Sequence, residues 1–210
     1  MKRITICLLS VTLLAACAKT NKGKLTNEWK ITSYQDESYF TSSEGDVSNV
    51  VTTMTETSLS QSHHMTDNGN TYDTSNEGTV NSHVLTIRKD GTWTWAKDIT
   101  YASFDQQYSS EQSGTWSFTG KSKGDDFKKN ERILFNILSI KSKTVHISDQ
   151  EVMSEDTETF LTGENTMIYT VSESKRKELQ LEFDHTMTYI NLSGGTDTEK
   201  TAQKLTLKEN

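Results

Sequence analysis

The sequence predicts an all-β protein, and three observations carry that expectation. Apolar residues recur with a period of two and almost nowhere with 3.6. Threonine and serine, one a strand former and the other a turn former, make up roughly a quarter of the 210 residues. Asp-Gly and Gly-Thr-Trp segments sit between alternating runs, where hairpins need them. The expected architecture is an antiparallel up-and-down barrel of about 8–10 strands, with a flattened β-sandwich as the alternative.

The elements follow in chain order. Trp29 and Ile31 alternate with polar neighbours near the start, and Val84–Arg88, Ile133–Ile140 and Thr144–Ser148 do so further on, each bounded by Gly, Asn, Asp, Ser or Lys clusters. Thr166–Val171 and Lys204–Leu207 add two more strands. The longest alternation places Leu179, Leu181, Phe183, His185, Met187 and Tyr189 on one face. Gln180, Glu182, Asp184, Thr186 and Thr188 take the other, as a half-buried strand requires.

Two central hairpins are expected. Asp90-Gly91, between Val84–Arg88 and Thr92–Ala96, supplies the positive φ of a tight turn. A second turn around Ser103-Phe104-Asp105 joins Thr92–Tyr101 to Tyr108–Phe118, in a register that opposes Trp93 to Trp116 and Tyr101 to Tyr108. Residues 36–80 form a polar insertion with few large apolar groups. Val47–Leu59 alternates as a strand, Asp67-Asn68-Gly69-Asn70 turns, and Thr71–Val80 returns, giving a long polar hairpin that projects from the core. There is no proline and there are only 11 glycines, so no hinge divides residues 25–210, which read as one domain.

The N-terminus has its own logic. Met1-Lys2-Arg3 precedes an apolar run from Ile4 to Leu14 that would reach only roughly 17 Å as a helix, about half the hydrocarbon thickness of a bilayer. It is too short to span and fits a cleaved signal peptide over residues 1–16. Leu14-Ala15-Ala16-Cys17 resembles the lipobox of bacterial lipoproteins, and the resemblance implies a diacylglyceryl and palmitate anchor on Cys17. Cys7 leaves with the signal, so no disulfide is expected. Residues 17–24 would form a lipid-anchored tether whose Lys19, Lys22 and Lys24 either meet anionic head groups or remain solvated. No aspartate follows Cys17, so the resemblance implies the periplasmic face of the outer membrane.

A second resemblance concerns the domain. Leu25-Thr26-Asn27-Glu28-Trp29-Lys30-Ile31, the Asp-Gly-Thr and Gly-Thr-Trp segments, Glu178-Leu179-Gln180-Leu181 and the closing Leu205-Thr206-Leu207 are similar to the lipocalin-like lipoproteins of Bacteroidota. That family implies a small up-and-down barrel. Two features depart from it: Asn27 replaces the usual glycine two residues before the first tryptophan, and the 36–80 insertion is long. The insertion implies extra strands or a flattened sandwich.

Charge and motifs bound the function. The 22 basic and 29 acidic residues become 20 and 29 once Lys2 and Arg3 leave, a net charge of −9 that repels nucleic acid. No His-Glu-x-x-His, phosphate-binding glycine loop or Gly-x-Ser-x-Gly elbow occurs, so neither an enzyme nor a cofactor is expected. His63-His64 with Asp67, Asn68 and Asp73 comes nearest to a metal cluster. Adjacent histidines on a strand face opposite ways, however, and the reading is a solvated turn with no metal. Glu178, Glu182 and Asp184 read as a solvated face.

Trp93, Trp95, Trp116 and His185 are the candidate ligand-lining residues, each weighed against an ordinary place in the core. The expected function is a non-catalytic binding module for a small apolar ligand or envelope component, tested by an interior cavity of about 300 Å³ or more. The alternative is a structural or protein-interaction lipoprotein. It would use the 36–80 segment or an open sheet edge.

Overall fold

The computed structural model describes residues 21–119, 131–175 and 177–210, with side chains from Gly23 onward. The expected signal peptide and lipidated Cys17 lie outside the described residues, as does the first half of the tether, residues 17–20, while residues 21–24 fall in a short helix. The described chain is all-β apart from a five-residue helix, α1 (Asn21–Leu25), and one 3-10 turn at Ala102–Phe104. Eleven strands follow α1: β1 (Asn27–Thr41), β2 (Val47–Thr55), β3 (Ser58–Asp67), β4 (Asn70–Ile87), β5 (Thr92–Tyr101), β6 (Gln106–Phe118), β7 (Glu131–His146), β8 (Val152–Thr159), β9 (Thr166–Ser174), β10 (Glu178–Ile190) and β11 (Thr196–Glu209).

All pairings are antiparallel, and they close a barrel. Ten strands form the ring, β6–β7 and β1–β11 completing it, while β8 attaches to β7 outside the ring. At the base the ring is tighter, because Asn27–Lys30 of β1 pairs directly with Val84–Ile87 of β4. Above that level β1 and β4 part, and the β2–β3 pair fills the wall between them. The barrel is therefore the expected one, and the insertion supplies extra strands.

Three expectations are corrected. Residues 36–80 do not project as a hairpin; they are the upper part of β1, all of β2 and β3, and the first half of β4. The Val47–Leu59 strand breaks because Thr55 Oγ1 accepts hydrogen bonds from the backbone N–H of Thr57 and Ser58 and reverses the chain there. Ile133–Ile140 and Thr144–Ser148 merge into β7, and the highly polar β8 went unseen.

The hairpin register also differs. Trp93 faces Gly114 and Tyr101 faces Gln106, a slip of two residues, since the 3-10 turn is tighter than the expected loop and Asp105 takes a left-handed conformation (φ 55°) to end it. An even slip keeps every side chain on its predicted face.

Gly114 permits the close approach of β6 to β7. A Cβ there would lie 1.9 Å from the carbonyl oxygen of Asn136, at a register irregularity between β6 and β7. Gly114→Ala is expected to lower stability by about 2–3 kcal/mol, read as a drop in the urea midpoint at unchanged m, because backbone must move to admit the methyl group. An unchanged midpoint would show that β6 and β7 do not approach this closely.

The core fills the base. Trp29, Ile31, Leu85, Ile87, Trp93, Ile133, Phe135, Tyr169, Leu179, Leu181, Leu205 and Leu207 are all buried. Leu25, at the end of α1, plugs the same end, and its carbonyl accepts the Trp29 indole N–H at 2.9 Å. Above this layer the inner face carries polar side chains among the buried Met54, Leu59, Val80 and Ile99.

Candidate functional site

Two strand irregularities build the polar layer. Simple alternation after Trp29 and Ile31 would turn Ser33 inward, but the β1–β11 register shifts between Ile31 and Ser33, so the next inward residues are Tyr34 and Asp36. A shift between Val80 and Ser82 on β4 likewise turns His83 inward, where it is buried. The registers then bring the partners together. Asp36 lies opposite Gln203, His83 opposite Lys97, Lys97 opposite Ser110, and Trp95 opposite Gln112.

All of these side chains except Asp36 join Tyr34, Met54 and Met167 around a cavity of about 70 Å³ inside the barrel. That is room for a few water molecules. Three aromatic rings form its wall: Tyr34 meets His83 and Trp95 edge-on at 5.6 and 5.9 Å, and His83 stacks near Trp95 at 5.8 Å.

Hydrogen bonding fixes the state of His83. The Trp95 indole N–H donates to His83 Nε2 at 2.8 Å, which requires that nitrogen to be unprotonated and places the imidazole proton on Nδ1. Burial, helped by the Lys97 charge, pushes the His83 pKa down to about 3. Its buried Nδ1 has no hydrogen-bond partner among the described residues, nor have Gln112 Oε1 and Asp36 Oδ1.

The acidic half of the layer is held more fully. Asp36 is raised by burial, against the lowering effect of hydrogen bonds from Gln203 and Tyr34 and of the Lys97 charge. Tyr169 Oη donates to Gln203 Oε1, orienting that amide. Burial also raises the Tyr34 phenol, reinforced by the negative charge of Asp36, and lowers the Lys97 ammonium. Lys97 Nζ lies 5.5 Å over the ring of Tyr108.

The four sequence candidates separate. Trp95 borders the cavity. Trp93 and Trp116 belong to the filled core, where Trp93 donates to the carbonyls of Thr115 and Asn136 at 3.1 and 3.2 Å and Trp116 to that of Arg88 at 2.8 Å. His185 is exposed on β10, stacked on Phe183 at 6.1 Å, and lines a lateral cleft of about 670 Å³ between β9 and β10. The two adjacent histidines of β3 face opposite ways: His63 bonds Ser48 inside at 3.0 Å, and His64 bonds Asp73 on the surface at 2.7 Å.

Sequence reasoning missed Tyr34, Asp36, His83, Lys97, Gln112 and Gln203. Lys97 had a signal, since it shares the parity of Trp93, Trp95 and Ile99. Chemically, the cavity offers donors in His83 Nδ1–H and Lys97, an acceptor in Gln112 Oε1, and a thioether and indole lining. No protein-family model, no curated protein and no solved structure matches this chain.

Proposed function

We propose that this protein is a lipid-anchored binding module of the bacterial outer membrane, non-catalytic, whose ligand sits in the polar middle of the barrel. The observation that carries the reading is a buried, unpartnered donor and acceptor, His83 Nδ1–H and Gln112 Oε1, on the wall of one cavity. Leaving such atoms unmatched costs about 1–3 kcal/mol each, a cost that a fitting ligand returns. The cavity is well below the size expected for an apolar cargo. Its ligand is small and bears both a carbonyl or carboxylate oxygen and an N–H or O–H.

Proton transfer at neutral pH is poorly served, because the ring groups of the cavity, His83 and Tyr34, have been moved away from neutrality in opposite directions. The anchor rests on Leu14-Ala15-Ala16-Cys17. With α1 at the base, a tether leaving that end would point the upper rim away from the lipid.

Native mass spectrometry of protein taken from its own membrane tests both parts. The mature chain is expected to begin at an acylated Cys17 and to retain a small polar molecule, which the double variant His83→Phe, Gln112→Leu releases while keeping its circular dichroism spectrum. A chain without acyl mass removes the anchor. Retention indifferent to the double variant, or nothing retained by either form, removes the cavity reading.

A further inference from the structure

The wall of the cavity is richer in donors than in acceptors, and one donor is charged. Among the described residues Lys97 Nζ forms no hydrogen bond and no ion pair; it lies 5.5 Å from the centre of the Tyr108 ring. The hydroxyl of Ser110, opposite Lys97 on β6, has no hydrogen-bond partner among those residues either. With His83 Nδ1–H, which is buried and unmatched, three donor groups border one space. The amide and imidazole acceptors of the same wall reduce to Gln112 Oε1, because Tyr169 occupies Gln203 Oε1 and Trp95 occupies His83 Nε2.

Charge points the same way. The wall contains Lys97 and no carboxylate. Asp36 belongs to the same polar layer but stands outside the wall, held by hydrogen bonds from Tyr34 and Gln203. Its charge offsets only part of what burial costs the Lys97 ammonium, whose pKa stays lowered. Size sets a further limit, since a space for a few waters admits about as many non-hydrogen atoms of a ligand. Trp95, Met54 and Met167 leave an apolar side against which a methylene group can lie.

We propose that the cavity binds a short 2-hydroxycarboxylate, glycolate being the smallest, with its carboxylate against Lys97, Ser110 and His83 Nδ1–H and its hydroxyl donating to Gln112 Oε1. This rests on the binding-module reading above and names the ligand class of that same site. The ammonium gives the carboxylate a charge-assisted bond, roughly twice as strong as a neutral one. The hydroxyl satisfies the amide oxygen of Gln112, which acetate would leave buried and unpaired. Glycolamide keeps the shape and the hydroxyl, but it brings no charge to Lys97 and adds N–H groups to a wall that already has donors to spare.

Isothermal titration calorimetry at neutral pH on the full mature chain, dialysed in detergent, tests this with glycolate, acetate and glycolamide as probes. Glycolate is expected to bind with a Kd at or below about 1 mM, and acetate and glycolamide at least about tenfold more weakly. Lys97→Met should erase the preference for glycolate over glycolamide, and Gln112→Leu the preference over acetate, each with an unchanged circular dichroism spectrum. The comparison of ligands on the natural chain decides the matter even where a variant fails to fold. The proposal is overturned if acetate or glycolamide binds as tightly as glycolate, if Lys97→Met keeps the preference for the acid, or if none of the three binds. A native molecule that is still retained from the membrane, and still released by the double variant His83→Phe, Gln112→Leu, would in each of those cases spare the binding-module reading and remove only this ligand class.

Discussion

Replacing Trp29 with alanine is expected to destabilise the protein by about 3–5 kcal/mol, a large share of the 5–15 kcal/mol that holds a typical domain folded. Trp29 is 1% exposed and sits where the ring is tightest, opposite Leu85 of β4 on one side and Glu209 of β11 on the other. Its loss opens a cavity at the base that β1 cannot collapse into while it is hydrogen-bonded on both edges. It also strips the donor from the Leu25 carbonyl and so loosens α1 from the end it plugs. Equilibrium urea unfolding should show the midpoint falling at constant m, and limited proteolysis should cut sooner near residues 21–25. Trp29→Phe keeps most of the volume and should lose about half as much. A loss below about 1 kcal/mol for the alanine variant would show that the base is not the packed core of this barrel.

The contrast between base and middle explains what was legible in the sequence. Strands of the base are read from alternation because their inward residues are large and apolar: Leu179 and Leu181, Leu205 and Leu207, Ile133 and Phe135. The same rule fails where a strand gains a residue. The irregularity after Ile31 inverts the parity of β1 and turns Tyr34 and Asp36 inward, whereas His83, beyond the irregularity of β4, keeps the parity of Leu85 and Ile87 and was legible from them. Period-two reasoning has no term for an inserted residue, and bulges gather where a fold re-aims side chains toward a site. Strand β8 was invisible for a different reason. Both of its faces are wet, so its sequence carries no alternation to find. Trp93 and Trp116 drew attention by size alone, and size marks the core as well as a ligand wall.

Acid should destabilise the protein through His83, with a sign that identifies the group. In the unfolded chain this imidazole takes a proton near pH 6.5, but in the fold only near pH 3, because charging it means charging a buried ring. Between those values the unfolded state binds the extra proton. Stability contributed by His83 is therefore intact above pH 6.5 and is lost on acidification, at up to about 1.4 kcal/mol per pH unit. Across the whole window this approaches about 5 kcal/mol. The groups around the ring act in known directions. Lys97 opposes protonation, Trp95 must surrender its acceptor, and Tyr34 meets the ring edge-on. Asp36 works the other way, since its raised pKa makes the fold favour the protonated acid as pH falls through that range. A total profile mixes the two, so the difference between the natural chain and His83→Gln is the quantity to follow. Glutamine can still accept from Trp95 and donate into the cavity, but it does not titrate. The stability difference between the two proteins should shrink by about 3 kcal/mol between pH 6.5 and pH 4. A difference that stays constant over that range would mean that His83 protonates as freely in the fold as outside it, and that solvent already reaches the polar layer on which the binding site depends.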